Sequence, residues 1–219
     1  MLFFDVMDTL VVDPFYTVMP QFFGLSFNEL LAATHSPAWV DFELGVLEEE
    51  QFLDSFFSDR RPVDGPGLRA ALRDAYCWVD GMQPVVEALQ GEGHELHCFS
   101  NYPQWHTIIE DKCGLSKCGL QWTAVSCLPH MKARKPDAAA YAAAAKAAGA
   151  QDDDVSSLWM TGGRTSMLRV RADGTACILP MLLHLWRSFG PGVCAASDAV
   201  PWLMHCFIDT HRVVPHSRL

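Results

Sequence analysis

Short, nearly uninterrupted apolar runs alternate along this chain with longer stretches whose apolar residues recur every three or four positions. Residues 2–5, Leu2-Phe3-Phe4-Asp5, read as a short buried strand followed by a polar loop at Asp8-Thr9. Residues 95–99, 122–127 and 155–160 form three further runs of strand length. Residues 14–80 are predicted to be mostly helical: Asn28-Glu29-Leu30-Leu31 and Glu48-Glu49-Glu50-Gln51-Phe52-Leu53 show helical spacing, and residues 62–67 form a Pro/Gly-rich break. Helices are also predicted over residues 82–90, with Pro84 in the first turn, over 103–110, and over 136–148, opened by Pro136 and stopped by Gly149. Strands alternating with helices predict an α/β fold, a Rossmann-like core around a parallel sheet. The expected organisation is a core of residues 1–13 and 81–157, a helical cap of residues 14–80 inserted after the first strand, and an atypical tail of residues 158–219.

Composition narrows the partners. Half of the 219 residues are hydrophobic, enough for one sizeable core or a core plus a small lobe. A net charge of −10 argues against a nucleic-acid groove, which needs clustered cations, and means that an anionic substrate requires a local positive group or a metal. No segment reaches the roughly 18–20 apolar residues of a membrane-spanning helix. Eight cysteines occur without a CxxC pair, and free thiols in a reducing compartment are expected, with metal binding at Cys113 and Cys118 a weak alternative. The chain opens directly in a strand-like run with no visible targeting peptide, which predicts a cytoplasmic location.

Three groups at strand ends carry candidate chemistry. Asp5 closes the first strand, where open α/β sheets bind ligands, and its carboxylate can attack phosphorus to give an aspartyl-phosphate. Ser100 closes the second strand, with Asn101 beside it; the hydroxyl can hydrogen-bond a phosphoryl oxygen. Lys135, in Arg134-Lys135-Pro136-Asp137, can neutralise the charge gathered there. Taken singly, an aspartate after a strand is as readily a helix cap, Ser-Asn a turn, and a lysine a solvated surface group.

In order along the chain, Phe4-Asp5-Val6-Met7-Asp8-Thr9-Leu10, Phe99-Ser100-Asn101 and Arg134-Lys135-Pro136-Asp137 resemble the first three motifs of the haloacid-dehalogenase-like hydrolase superfamily. Asp13-Pro14-Phe15-Tyr16, Pro20-Gln21-Phe22-Phe23-Gly24, Ser100-Asn101-Tyr102-Pro103 and Asp80-Gly81-Met82-Gln83 are similar, more narrowly, to the plant chloroplast flavin mononucleotide (FMN) hydrolase group, and the resemblance covers about residues 2–157. It implies a magnesium-dependent phosphatase acting on FMN, and a chloroplast location if a transit peptide precedes the chain. It also implies roles: Asp5 as nucleophile and magnesium ligand, the Met7 carbonyl as a second metal ligand, and Ser100 and Lys135 on the phosphoryl group. Asn101 and Thr9 are expected beside the substrate, and Trp39 and Phe42 against a flavin ring, with Phe15, Tyr16, Phe22 and Phe23 as further aromatic candidates. Most phosphatases of the superfamily carry an acidic proton donor two residues after the nucleophile; Met7 stands there and cannot transfer a proton. Asp8 is adjacent but is expected to point elsewhere. No arginine lies between Asp5 and Arg60, which disfavours carbon–halogen chemistry.

The family's fourth motif, an acidic pair after the fourth strand, is missing: Trp159-Met160-Thr161-Gly162-Gly163-Arg164 stand in its place, while Asp152, Asp153 and Asp154 precede the strand. Because Trp and Met have single codons, Leu158–Thr161 must be encoded xxN-TGG-ATG-ACN, and the frame starting two nucleotides later reads NTG-GAT-GAC-NGG. That frame can spell Val-Asp-Asp-Arg-x-x-Asn-Val, the form of the missing motif. The tail also contains no lysine and no glutamate. The tail from about Leu158 is therefore expected to be a frameshifted translation. Read as printed, it predicts weak magnesium binding, a sheet short of its last strands with an exposed edge, and an alternative role as an impaired homologue that at most binds flavin or another protein.

Overall fold

A computed structural model describes residues 1–150 and the strand segments Ser157–Met160, Met167–Val170 and Ala176–Leu179. Strand β1 (Leu2–Phe4) is followed by five helices, α1 (Phe15–Phe23), α2 (Phe27–Ala33), α3 (Ser36–Glu43), α4 (Glu49–Ser55) and α5 (Gly65–Ala75). Then come α6 (Met82–Gly91), β2 (Leu96–Ser100), α7 (His106–Cys113), β3 (Leu120–Val125), α8 (Ala138–Ala147), β4 (Ser157–Met160), β5 (Met167–Val170) and β6 (Ala176–Leu179).

The six strands form one sheet in the order β3-β2-β1-β4-β5-β6. β1 is parallel to β2 on one side (Phe4 opposite Cys98) and to β4 on the other (Phe4 opposite Met160), so connections diverge at its carboxyl end. In open α/β sheets that point is the ligand crevice. The sheet continues past β4 through β5 and β6, each paired antiparallel with the strand before it, whereas the tail as printed predicts a sheet short of its last strands with an exposed edge. The expectation that the tail is a shifted translation otherwise falls outside the described residues.

Alternation along the strands sends side chains to two cores. Phe3 and Phe99 face α8, whose small Ala140 and Ala144 let the helix sit close, with Ala124 and Met131 completing the layer. Phe4, Val6, Cys98 and Val125 face the other way, into a larger core shared with Phe42, Phe52, Leu68 and Tyr76 of the inserted helical segment. Each fully buried phenylalanine contributes about 1.5–3 kcal/mol to that packing.

The chain leaves the sheet for these helices and returns through one neck. Val12 N–H donates to Cys77 O at 3.0 Å, Val79 N–H donates to Leu10 O at 2.8 Å, and Val11 bridges Trp78 antiparallel. Helix α8 is capped at Asp137, so Pro136 precedes the helix rather than opening it, and the Lys135–Pro136 peptide is cis. Cys77, Cys98, Cys113, Cys118 and Cys127 are free thiols. No described helix is long and apolar enough to cross a membrane.

Candidate active site

Asp5 emerges at the carboxyl end of buried β1, and a tight turn holds it there. The N–H groups of Thr9, Leu10 and Val11 all point at Val6 O (3.3, 2.9 and 3.0 Å), with Asp8 in the left-handed region at φ 53°. The carboxylate is held from two sides: Val6 N–H donates to Oδ1 at 2.8 Å, and Lys135 Nζ lies 2.9 Å from Oδ2. Lys135 is itself tied down, its Nζ donating to Phe99 O at 2.9 Å. Asn101 grips the same residue's backbone, accepting from Lys135 N–H at 2.8 Å and donating to Lys135 O at 2.9 Å. Ser100, 2% exposed, ends β2 on the same cavity wall.

These residues open on a cavity of about 280 Å³ lined by Asp5, Met7, Ser100, Asn101 and Lys135 on the sheet side, and by Phe15, Tyr16, Trp39 and Glu43 from α1 and α3. The structure therefore brings together Asp5, Met7, Ser100, Asn101, Lys135 and Trp39. Thr9 and Phe42, expected at the substrate, are not on this wall. Thr9 is 6% exposed, with its hydroxyl turned into the protein and lacking a hydrogen-bond partner among the described residues. Phe42 is stacked on Phe52 at 4.3 Å inside the core. Phe22 and Phe23 also lie off the cavity, packed edge-to-face at 5.1 Å, with Phe23 stacked on Phe56. Tyr16 sits at the rim, 60% exposed, edge-on to Phe15 at 5.5 Å.

Three residues that the sequence pattern did not single out complete the site. Glu43, at the end of α3, is 5% exposed; its Oε1 accepts from Trp39 Nε1 at 2.6 Å and its Oε2 lies 2.9 Å from Arg134. That ion pair is close but misaligned, leaving Glu43 Oε2 and Arg134 Nε without a hydrogen bond. Burial pushes the Glu43 carboxyl up, against the pull of Arg134, the Trp39 N–H and Lys135. Ser126 joins the helical segment to the sheet: its hydroxyl donates to Glu43 O at 2.6 Å and accepts from Tyr102 N–H at 3.0 Å. Asp13 reaches the cavity from the turn after β1; its Oδ1 accepts from Phe15 N–H at 2.9 Å, and burial raises its pKa above the ordinary carboxylate value, with Asp8 and Asp5 adding to the rise. Only the motif Asp13-Pro14-Phe15-Tyr16 signals it in the sequence.

The described residues contain no cluster of three or more His, Cys, Asp or Glu side chains that could hold a metal. They do offer two hard oxygen donors from residues on one cavity wall, the Asp5 carboxylate and the Met7 carbonyl, which receives a backbone N–H from no described residue. Magnesium is commonly held by one or two carboxylates, with waters and substrate phosphate completing its octahedron, so this donor set fits it. Among the described residues Lys135 is the one lysine on a wall that also carries Asp5, Asp13 and Glu43, so a second cation would favour the binding of a phosphate dianion.

No family model matches the chain. Its sequence is 46% identical over 136 residues, 62% of its length, to the chloroplastic flavin mononucleotide hydrolase 1 of Arabidopsis thaliana. The chain spans about half the length of that curated relative, 54%. Among solved structures it is similar to a HAD family enzyme of Bacteroides thetaiotaomicron, solved as the wild-type protein in complex with magnesium and inorganic phosphate. The TM-score is 0.58 at 16% identity, covering 72% of this chain and 82% of that one. It is also similar to a predicted HAD-like family hydrolase of Porphyromonas gingivalis, with a TM-score of 0.51 at 15% identity, covering 72% and 79%. Motifs, sheet order and relatives agree: this chain has the haloacid-dehalogenase-like fold and resembles, over 136 residues, a plant FMN hydrolase.

Proposed function

We propose that this protein is a magnesium-dependent phosphatase of the haloacid-dehalogenase type that hydrolyses a small phosphomonoester, FMN foremost, to alcohol and phosphate. The observation that carries the reading is the Asp5–Lys135 pair, 2.9 Å apart at the carboxyl end of the central parallel strand and facing a cavity lined by Phe15, Tyr16 and Trp39. Asp5 Oδ2 is the attacking atom: Val6 N–H fixes the other oxygen, so the side chain needs no reorientation to meet phosphorus. Lys135 and the Ser100 hydroxyl hold the phosphoryl oxygens as charge builds on them, a role typically worth a few kcal/mol per preorganised donor. Asn101 keeps Lys135 in place, and the helical segment acts as a cap over the ester. Magnesium at Asp5 and the Met7 carbonyl would supply Lewis-acid polarisation of the phosphoryl group.

FMN as the substrate draws on the Arabidopsis relative's name and on the aromatic wall of Phe15, Tyr16 and Trp39, which suits a flat ring. A plastid location goes with that reading. The test is phosphate release from FMN and magnesium by the purified chain, beside Asp5→Asn. The wild type is expected to turn over and the variant to lose about three orders of magnitude or more; equal rates would refute the assignment. A second reading, an impaired homologue that retains only binding, is favoured by Thr161-Gly162-Gly163-Arg164 standing where the superfamily carries its acidic pair. Binding of FMN without release of phosphate would select it.

A further inference from the structure

Met7 leaves the phosphatase without the usual proton donor, yet an alkoxide leaving group needs one. Asp8 does not fill the gap: it is exposed, off the cavity wall, and its Oδ1 is occupied by Asp13 N–H at 2.9 Å. Glu43 is on the wall, and burial raises its carboxyl too, but both its oxygens are engaged: Oε1 accepts from Trp39 Nε1 at 2.6 Å and Oε2 pairs with Arg134 at 2.9 Å. Asp13 differs from both. The turn that presents Asp5 also presents Asp13: Asp8 ties down its backbone N–H, and Phe15 N–H holds its Oδ1. Its Oδ2 receives no hydrogen bond from any described residue, and the carboxyl borders the same cavity as Asp5.

We propose that Asp13 is the proton-transfer residue of the reaction, in place of the absent acid at position 7; the proposal rests on the phosphatase reading above. In the first half-reaction an Asp5 oxygen bonds to phosphorus, the bond from phosphorus to the ester oxygen breaks, and the Asp13 carboxylic acid gives its proton to the departing oxygen. In the second half-reaction water attacks the aspartyl-phosphate, Asp13 takes a proton from that water, and Asp5 leaves as carboxylate. The sum is ester plus water to alcohol plus phosphate, with Asp13 protonated again.

The surroundings of Asp13 suit the role. Burial favours its neutral form, and the charges that reach it from its own loop, Asp8 and Asp5, act in the same direction. From the packed elements, Tyr76 at the end of α5 and Tyr102 after β2 lie close, their hydroxyls hydrogen-bonded to each other and both pushed up by burial, so both stay neutral. The cationic groups of the site, Lys135 and Arg134, are engaged by Asp5 and Glu43.

The test compares two esters in the magnesium-loaded full chain. FMN has an alkoxide leaving group that needs a proton; p-nitrophenyl phosphate has a stabilised aryl-oxide that does not. Asp13→Asn keeps an acceptor for Phe15 N–H and is expected to lose about 10²–10⁴-fold in kcat with FMN but far less with p-nitrophenyl phosphate. It is also expected to lose the alkaline fall of kcat/KM that the wild type shows with FMN. Asp8→Asn keeps the acceptor for Asp13 N–H but removes one of the charges that raise Asp13, and is expected to move the alkaline limb with FMN to lower pH while leaving p-nitrophenyl phosphate nearly unchanged. A loss in Asp13→Asn that is equal for the two esters, or an unchanged alkaline limb, overturns the assignment while leaving the phosphatase reading intact. A wild type that hydrolyses neither ester refutes the phosphatase reading itself.

Discussion

The side-chain amide of Asn101 makes two hydrogen bonds to the backbone of a single residue, Lys135, accepting from its N–H and donating to its carbonyl across 34 positions of sequence. The lysine that faces Asp5 is thus located by its main chain as well as by its Nζ, which donates to Phe99 O. Asn101→Asp keeps the acceptor but replaces the donor with a second anion beside the Lys135 carbonyl. The expected result is a stability loss of about 1–3 kcal/mol in urea unfolding, and a phosphatase rate reduced more in kcat than in KM. Unchanged kcat would mean that the amide only shapes the loop.

Asp13 also affects stability. Its pKa is raised in the fold, chiefly by burial, so the protonated form is the one the fold favours. The stabilisation linked to that proton is complete below the ordinary carboxylate value of 3.8 and is lost as pH rises through the higher folded value. Asp13→Asn removes that liability. Its melting temperature is expected to exceed that of the wild type at neutral pH, with the gap closing as pH falls toward the ordinary carboxylate range. A gap that does not depend on pH would refute the link.

Ser126 joins two buried backbone groups on different layers, Glu43 O and Tyr102 N–H, and is 1% exposed. Ser126→Ala leaves both without a partner. The cost is expected to be about 1–3 kcal/mol per orphaned group, read as a lower urea midpoint with an unchanged slope. Gly45 lies beside this contact at φ +67°, and a Cβ there would stand 2.6 Å from Cys127 O, so Gly45→Ala is expected to lift the end of α3 off the sheet and raise KM.

Magnesium affinity is expected to depend on the reading frame from about Leu158. The transcript across codons 155–165 is expected to carry GTG-GAT-GAC in the shifted frame, and the protein translated in that frame to bind magnesium more tightly than the printed chain, measured by calorimetry. Absence of that triplet run would end the frameshift account.

Asp5, Ser100 and Lys135 are legible in the sequence because two of them close strand-like runs, the third precedes an alanine-rich helix, and their order along the chain resembles the superfamily's first three motifs. Trp39 is legible as an aromatic candidate but not distinguishable from Phe42. Both lie on α3, and only packing decides that Phe42 stacks on Phe52 while Trp39 borders the cavity. Ser126 carries no local signal, since its partner Glu43 lies 83 positions away. Asp13 sits in a loop without periodicity, where Asp8 holds its backbone N–H and Phe15 N–H holds its Oδ1, contacts that no pattern announces. Strands β5 and β6 escape a reading by period because each is four residues long and lies in a stretch with no regular alternation.

The paired crossing at Leu10–Val79 and Val12–Cys77 makes the five-helix insertion a module with a single doorway. Whatever enters and leaves by that doorway can be exchanged without rerouting the sheet or moving the nucleophile. Substrate preference and phosphoryl chemistry can therefore diversify separately. A graft of a foreign helical insert between residues 14 and 77 that keeps Asp13 and the apolar face toward Phe4 and Val6 should alter which ester is accepted while leaving the attack on phosphorus in place.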